Sequence, residues 1–415
     1  DVVVVGGGVM GSWAASRVAA RGASCALLDQ FDPGHDRGSS HGDGRVYRFA
    51  YEEDEYVDMM QYSLGLWQDL QAHAGHPLMA KTGGINVNWA SARGSDADPL
   101  TKLQAMYSKR GAAHEVLTAV EVRERFPQYG LPEGMEALYQ PDMGVLFATQ
   151  CVKAAWSLAG SLGAELRPNT RVTGLARDGR GAVVKTASGE ALAARHVVLA
   201  PGGWLSGMAR ALLGIEIPTR VTAETVSYFA VRDGCSLDHS YRSMPVFLST
   251  LDNKLTEYGF YGLPSIDVPG VKVSAHYAGP IVDPDDRPQS AGGGGAAPDA
   301  EEMAARRVAE VIEANKRIVA TQFPGLEPEP FLSQNCLYTS TPDHDYILDR
   351  VPGFDAVVLA GGGSGHAFKM GPAIGELCAC LALGREPSLQ VGKKFSLQRL
   401  LSVPPGATSW SAPRK

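Results

Sequence analysis

The sequence has no run of 18 or more apolar residues, which excludes a membrane-spanning helix on ordinary hydropathy grounds. It also has no basic excess. A formal net charge of −7 leaves no electrostatic footprint for nucleic acid, so a small anionic substrate would need a local cluster of cations. Cysteine is sparse. The six thiols, Cys25, Cys151, Cys235, Cys336, Cys378 and Cys380, lack the dense spacing of a disulfide framework, and a reducing compartment is expected. Cys378 and Cys380 have no second pair or histidine nearby, so they read as packing residues, and no metal site is predicted. The final Ala412-Pro413-Arg414-Lys415 is not the Ser-Lys-Leu peroxisomal address. The first residue is not methionine, so upstream residues are expected and a targeting signal there is not read.

What the sequence does contain begins at once. Residues 1–5 read as an apolar strand, Gly6-Gly7-Gly8-Val9-Met10-Gly11 as a tight turn, and residues 12–21 as a helix with an alanine-rich face. Glycine at Gly6 permits the sharp bend. At Gly8 it lets backbone N–H groups approach a pyrophosphate, and at Gly11 it lets helix and strand touch. The helix N-terminus favours an anion. Asp29 closes the next apolar run, where an acidic side chain holds the ribose hydroxyls of a dinucleotide. The turn alone does not separate FAD from NAD.

The stretch from Gln30 to Tyr51 is rich in glycine and small polar residues and reads as a long loop beside this site. Ser39 and Ser40 offer hydroxyls to a cofactor. Arg45 and Arg48 would share a face if the chain turned helical there, and such a pair suits a carboxylate. The alternative is that they are solvated or pair with Glu52, Glu53 and Asp54. Helices are predicted from Tyr51 to about Gly75, over 99–110, over 118–126, and over 150–162 with Thr149 as N-cap. Residues 164–199 read as a meander with turns at Asp178-Gly179 and Ser188-Gly189. The last strand runs into Pro201-Gly202-Gly203-Trp204.

From Ile217 to Val282 the pattern becomes short alternating strands, hence an antiparallel sheet of a second, α+β domain. Tyr261 is a phenol flanked by glycines. Lys272 and His276 fall on one face of a strand, with Ser274 between them. If that face meets solvent, Lys272 is merely a surface lysine. The glycine tract Gly292–Gly295 reads as a flexible loop, and Asp299 as the cap of a helix to about Thr321. A second apolar strand then meets a second glycine turn, Gly361–Gly365, and a helix from about Lys369 to Leu383. One ligand long enough to span both turns favours FAD over NAD.

Gly6–Gly11, Asp29, the core Gly38-Ser39-Ser40-His41-Gly42-Asp43-Gly44-Arg45, the segment Cys336-Leu337-Tyr338-Thr339-Ser340-Thr341-Pro342-Asp343 and the late glycine turn together resemble the monomeric sarcosine oxidase family of flavoproteins. The likeness extends from Asp1 to about Gly384 and is strongest to its peroxisomal sarcosine/L-pipecolate oxidase branch. It implies an α/β plus α+β architecture: a Rossmann-like FAD-binding domain of the glutathione reductase type with an antiparallel-sheet substrate domain. The expected FAD-binding segments are 1–85, 145–216 and 325–390. Residues 86–144 and 217–324 are expected to form the substrate domain, and 391–415 a tail.

The resemblance also implies roles. FAD would be attached covalently through Cys336, and would be lined by Gly6, Gly8, Met10, Gly11, Asp29, Ser39, Ser40, Arg45, Val172, Gly202, Trp204, Gly363, Gly365 and Lys369. Arg48 and Lys369 would hold a substrate carboxylate, with Arg45, Tyr261, His276 and His366 also lining that pocket. Lys272 would promote the reaction of the reduced flavin with O2. The expected activity is oxidation of small secondary or cyclic amino acids by a monomer, giving an imine and hydrogen peroxide in a peroxisome or the cytoplasm. The rivals are a dehydrogenase using another electron acceptor and a silent flavin-binding sensor. Departures from the family pattern are Gly292–Gly295, Gly362-Gly363-Ser364 and Ala367, which put substrate size in question.

Overall fold

The computed structural model describes residues 1–95, 98–249, 257–285 and 298–401. A six-stranded sheet has the order Ile347–Val351, Phe354–Gly361, His196–Leu199, Val2–Val5, Cys25–Leu28, Glu165–Arg167. All neighbours are parallel except the first pair. The valine-rich strands are buried on both faces, as parallel strands covered by helices must be. Helix Val9–Ala19 packs on one face together with Gly371–Leu383. Their contact is backbone-close: a Cβ on Gly375 would stand 2.5 Å from the Trp13 carbonyl carbon.

An eight-stranded sheet forms the second layer. Its order is Leu326–Ser340, Arg220–Val231, Val271–His276, Gly259–Leu263, Val246–Ser249, Gly84–Trp89, Met135–Gln140, Glu115–Thr118. It is mixed rather than purely antiparallel, because Val246–Ser249 runs parallel to Gly84–Trp89. Helix Pro298–Gln322 covers one face, with Val311, Ala314, Ile318 and Val319 packed against Val271, Val273 and Ala275. Asn315 ties the layers by donating to Ser227 Oγ and accepting the Ala275 N–H. The other face, carrying Lys272 and His276, looks into the molecule.

Several expectations need correction. Residues 326–340 pair with Arg220–Val231, so this part of 325–390 lies in the substrate-domain sheet, because a strand joins the sheet that satisfies its hydrogen bonds. Of the meander, Val172–Asp178, Gly181–Thr186 and Ala191–Ala194 form a separate antiparallel sheet, while Glu165–Arg167 and His196–Leu199 join the parallel one. Residues 391–401 are not a loose tail: Phe395 and Leu397 are buried, and Arg399 pairs with Asp343. Thr149 lies inside helix Ala148–Ser161, where its hydroxyl exchanges hydrogen bonds with the Gly42 backbone instead of capping. The helix expected to be capped by Asp299 begins two residues earlier, at Pro298, so Asp299 lies within it. Gly292–Gly295 and 402–415 lie outside the described residues. No helix among the described residues is long and apolar enough to cross a membrane.

Because a Cβ at Gly375 would meet backbone that has no room to yield, Gly375→Ala should cost about 1–3 kcal/mol. A urea unfolding midpoint equal to that of the parent chain would contradict this packing account.

Candidate active site

One cavity of about 1050 Å³ is lined by both glycine turns and by the inward face of the eight-stranded sheet. Gly6 has φ +94°, and a Cβ there would stand 2.4 Å from the Ala200 carbonyl oxygen. At Gly11 a Cβ would collide with the Gly6 carbonyl, so Gly11 serves helix–strand packing and does not line the cavity. Ser40 Oγ accepts the Val9 N–H at 3.1 Å, at the start of helix Val9–Ala19. Asp29 accepts the N–H groups of Gly7 at 2.5 Å and Phe31 at 2.9 Å. Burial nevertheless raises its carboxyl above the usual range. Trp204 Nε1 donates to Asp285 at 2.7 Å, closing another part of the same wall.

At the sheet side, Lys272 is 4% exposed and its Nζ donates to the Gly44 carbonyl at 3.2 Å. The surface reading of this lysine is therefore wrong: the polar strand face meets a cavity, not solvent. Burial first, and then Arg45, bring Lys272 down to about 7, with Cys336 and Asp43 opposing. Arg45 donates to the Ser39 carbonyl at 3.0 Å and to Cys336 Sγ at 3.1 Å.

Arg48 and Lys369 converge from two elements distant in sequence. The Arg48 guanidinium lies 5.0 Å, and Lys369 Nζ 5.2 Å, from the centre of the Tyr51 ring. Burial, followed by Arg48, pushes Lys369 well below the usual lysine range. His276 is pressed down to about 3 by burial first, then Arg48, Lys369 and His344, so it is neutral. Its Nδ1 lies 3.0 Å from Tyr338 Oη. His366 Nε2 lies 3.1 Å from the His344 carbonyl, which fixes the proton on Nε2 and leaves Nδ1 to accept from Tyr346 and Tyr51 at 2.7 and 3.3 Å.

Every site residue expected from the sequence except Gly11 lines this cavity: Gly6, Gly8, Met10, Asp29, Ser39, Ser40, Arg45, Arg48, Val172, Gly202, Trp204, Tyr261, Lys272, His276, Cys336, Gly363, Gly365, His366 and Lys369. Arg45 lies in the strand Gly44–Tyr47, so the helical face imagined for Arg45 and Arg48 does not form. Of the acids named as alternative partners, Glu52 pairs with Lys102 and Asp54 with Lys109 and Arg110. Tyr338 and Tyr277 also line the cavity and were not expected. Tyr338 was findable, because it sits two residues beyond Cys336 on one strand and shares its face. Tyr277 was not: it follows a strand end with φ +58°, which no periodicity announces.

The donors fit the flavin dinucleotide. The Gly6–Gly11 turn leads into a helix N-terminus, Gly8 offers a surface that a Cβ would fill toward Ser40, and the cavity continues without a break to Lys272 and Lys369. It is also cationic where Arg48 and Lys369 meet. Acetate should bind to the FAD-loaded protein and perturb the flavin absorption. Because burial lowers the Lys369 pKa, its charge is lost at lower pH than an ordinary lysine's, so acetate affinity should fall as pH rises, before the range in which a free lysine titrates. An affinity independent of pH would contradict the role of Lys369.

The model of the FAD dependent oxidoreductase family matches residues 1–381. The chain is 34% identical to the probable sarcosine oxidase of Arabidopsis thaliana, covering 98% of this chain and 94% of that one. It is 30% identical to the peroxisomal sarcosine oxidase of Homo sapiens, covering 97% of each. The structure of NikD, an unusual amino acid oxidase essential for nikkomycin biosynthesis, superposes with a TM-score of 0.77 at 24% identity over 95% of this chain and 96% of that one, a likeness of fold. The chain thus belongs to the FAD dependent oxidoreductase family, among the sarcosine oxidases, and is an FAD-dependent enzyme of the amino acid oxidase type.

Proposed function

We propose that this protein is an oxidase of small secondary or cyclic amino acids, of the sarcosine or L-pipecolate type, acting as a monomer with O2 as second substrate. The observation that carries the reading is the buried pair Arg48 and Lys369, which both line the cofactor cavity and flank the Tyr51 ring behind it. The sarcosine oxidases at 30–34% identity support the same substrate class.

FAD, held by the Gly6–Gly8 turn, Asp29, Ser39 and Ser40, would supply the redox chemistry, two-electron oxidation of the C–N bond to an imine with O2 as the final acceptor and hydrogen peroxide as its product. The chain supplies position and field. Arg48 and Lys369 clamp the carboxylate, which fixes the neighbouring carbon and lowers the entropic cost of reaction. Arg48 and the neutral His276 line the same cavity, and positive charge there favours the uncharged form of the amine, the form able to release a hydride. Lys272 places a positive charge in a water-poor wall, where developing negative charge on oxygen is stabilised most. Cys336, with Arg45 donating to its sulfur, is the proposed point of covalent attachment to the 8-methyl group.

Oxygen uptake by the yellow protein over sarcosine, L-pipecolate and L-proline tests the reading. Peroxide from at least one amine is expected, and none from any of them contradicts it; after acid precipitation the colour should stay with the pellet. In Lys272→Met, flavin reduction should stay within about threefold while reoxidation slows by about a hundredfold or more. Equal loss in both half-reactions would refute the role given to Lys272.

A further inference from the structure

The turn Gly361–Gly365 borders the substrate pocket but brings little side-chain bulk of its own. Gly361, Gly362, Gly363 and Gly365 have none, and the Ser364 hydroxyl is turned back onto the Gly362 carbonyl and Thr341. The bulk facing this turn comes from the other layer: the Tyr338 ring lies against Gly365, and Tyr277 stands next to it over Ser364. Tyr277 follows the strand Val271–His276, lines the cavity, and donates its hydroxyl to the Ser364 carbonyl, bridging the sheet and the glycine turn. Its ring centre lies 4.1 Å from that of His276, 5.5 Å from Tyr338 and 5.1 Å from His344.

The placement is enforced. Tyr277, His344 and Ser364 all adopt left-handed backbone, with φ of +58°, +60° and +46°. Such conformations in non-glycine residues persist only where the surroundings over-determine them. Immediately after Tyr277, the fully buried Glu224 accepts the N–H groups of Ala278 and Gly279 at 2.9 and 3.0 Å, fixing the turn that aims the ring.

We propose that Tyr277 sets the size of amino acid the pocket admits, its ring closing the cavity between His276 and the glycine turn at Ser364. The inference rests on the amino acid oxidase reading for the identity of the ligand. Removing the ring opens space beside His276, in the cavity that Arg48 and Lys369 also line, and leaves both of those side chains in place. Bulky carboxylates then gain affinity relative to small ones.

Tyr277→Gly is the direct variant, because glycine adopts the left-handed backbone freely. Tyr277→Asn is the second, since asparagine tolerates the same region and is much smaller than tyrosine. Acetate and phenylacetate are titrated into each FAD-loaded protein by flavin absorption, a readout independent of turnover. The phenylacetate-to-acetate affinity ratio should rise by about tenfold or more in either variant. Tyr277→Phe keeps the ring, and its ratio should stay within about threefold of the parent. An unchanged ratio in both small variants, or an equal rise in Tyr277→Phe, overturns the proposal. Failure of the oxidase reading is seen separately, as a parent protein that releases no peroxide from any amine.

Discussion

Val5, Leu199 and Leu359 lie side by side in three adjacent parallel strands. Because these strands are in register and run the same way, the turns that follow them open on one edge of the sheet, where open α/β sheets bind ligands. The first turn carries Gly6–Gly11, the second Gly202 and Trp204, and the third Gly363, Gly365 and Lys369. Segments more than 300 residues apart thereby line one cavity. Close backbone approach at Gly6, Gly11 and Gly375 holds the surrounding strand and helices where the register needs them.

The second layer supplies the charge. Its strand Val271–His276 turns Val271, Val273 and Ala275 toward helix Pro298–Gln322, and Lys272 and His276 toward the cavity. Buried cations are costly, and removing their counter-charges is costlier still. Here Arg48, Lys272 and Lys369 each donate to a backbone carbonyl, those of Ala50, Gly44 and His366. Carbonyls offset only part of the desolvation, so both lysines hold their protons weakly, and an anion arriving beside them would favour the charged form. The depressed pKa values of Lys272 and Lys369 are the signature of that arrangement.

The nucleotide end of this site was readable from the sequence because local rules specify it: a strand, three spaced glycines, a helix and Asp29. The alternation around Lys272 was readable too, although sequence left open whether its polar face met water or a cavity. Where tertiary pairing decides, reading by segment erred. Residues 326–340 continue the chain toward the nucleotide sheet yet find their hydrogen bonds beside Arg220–Val231. Arg45 entered a strand instead of a helix. Tyr277 stayed hidden because its position depends on left-handed backbone and on the buried carboxylate of Glu224.

The central claim is that one continuous cavity aligns a flavin with a carboxylate clamp. A crystal structure of the FAD-loaded protein soaked with acetate tests it most directly. Acetate is expected within hydrogen-bonding reach of both Arg48 and Lys369, inside the cavity that both glycine turns line. Acetate bound away from that pair, or a flavin bound outside that cavity, would contradict it.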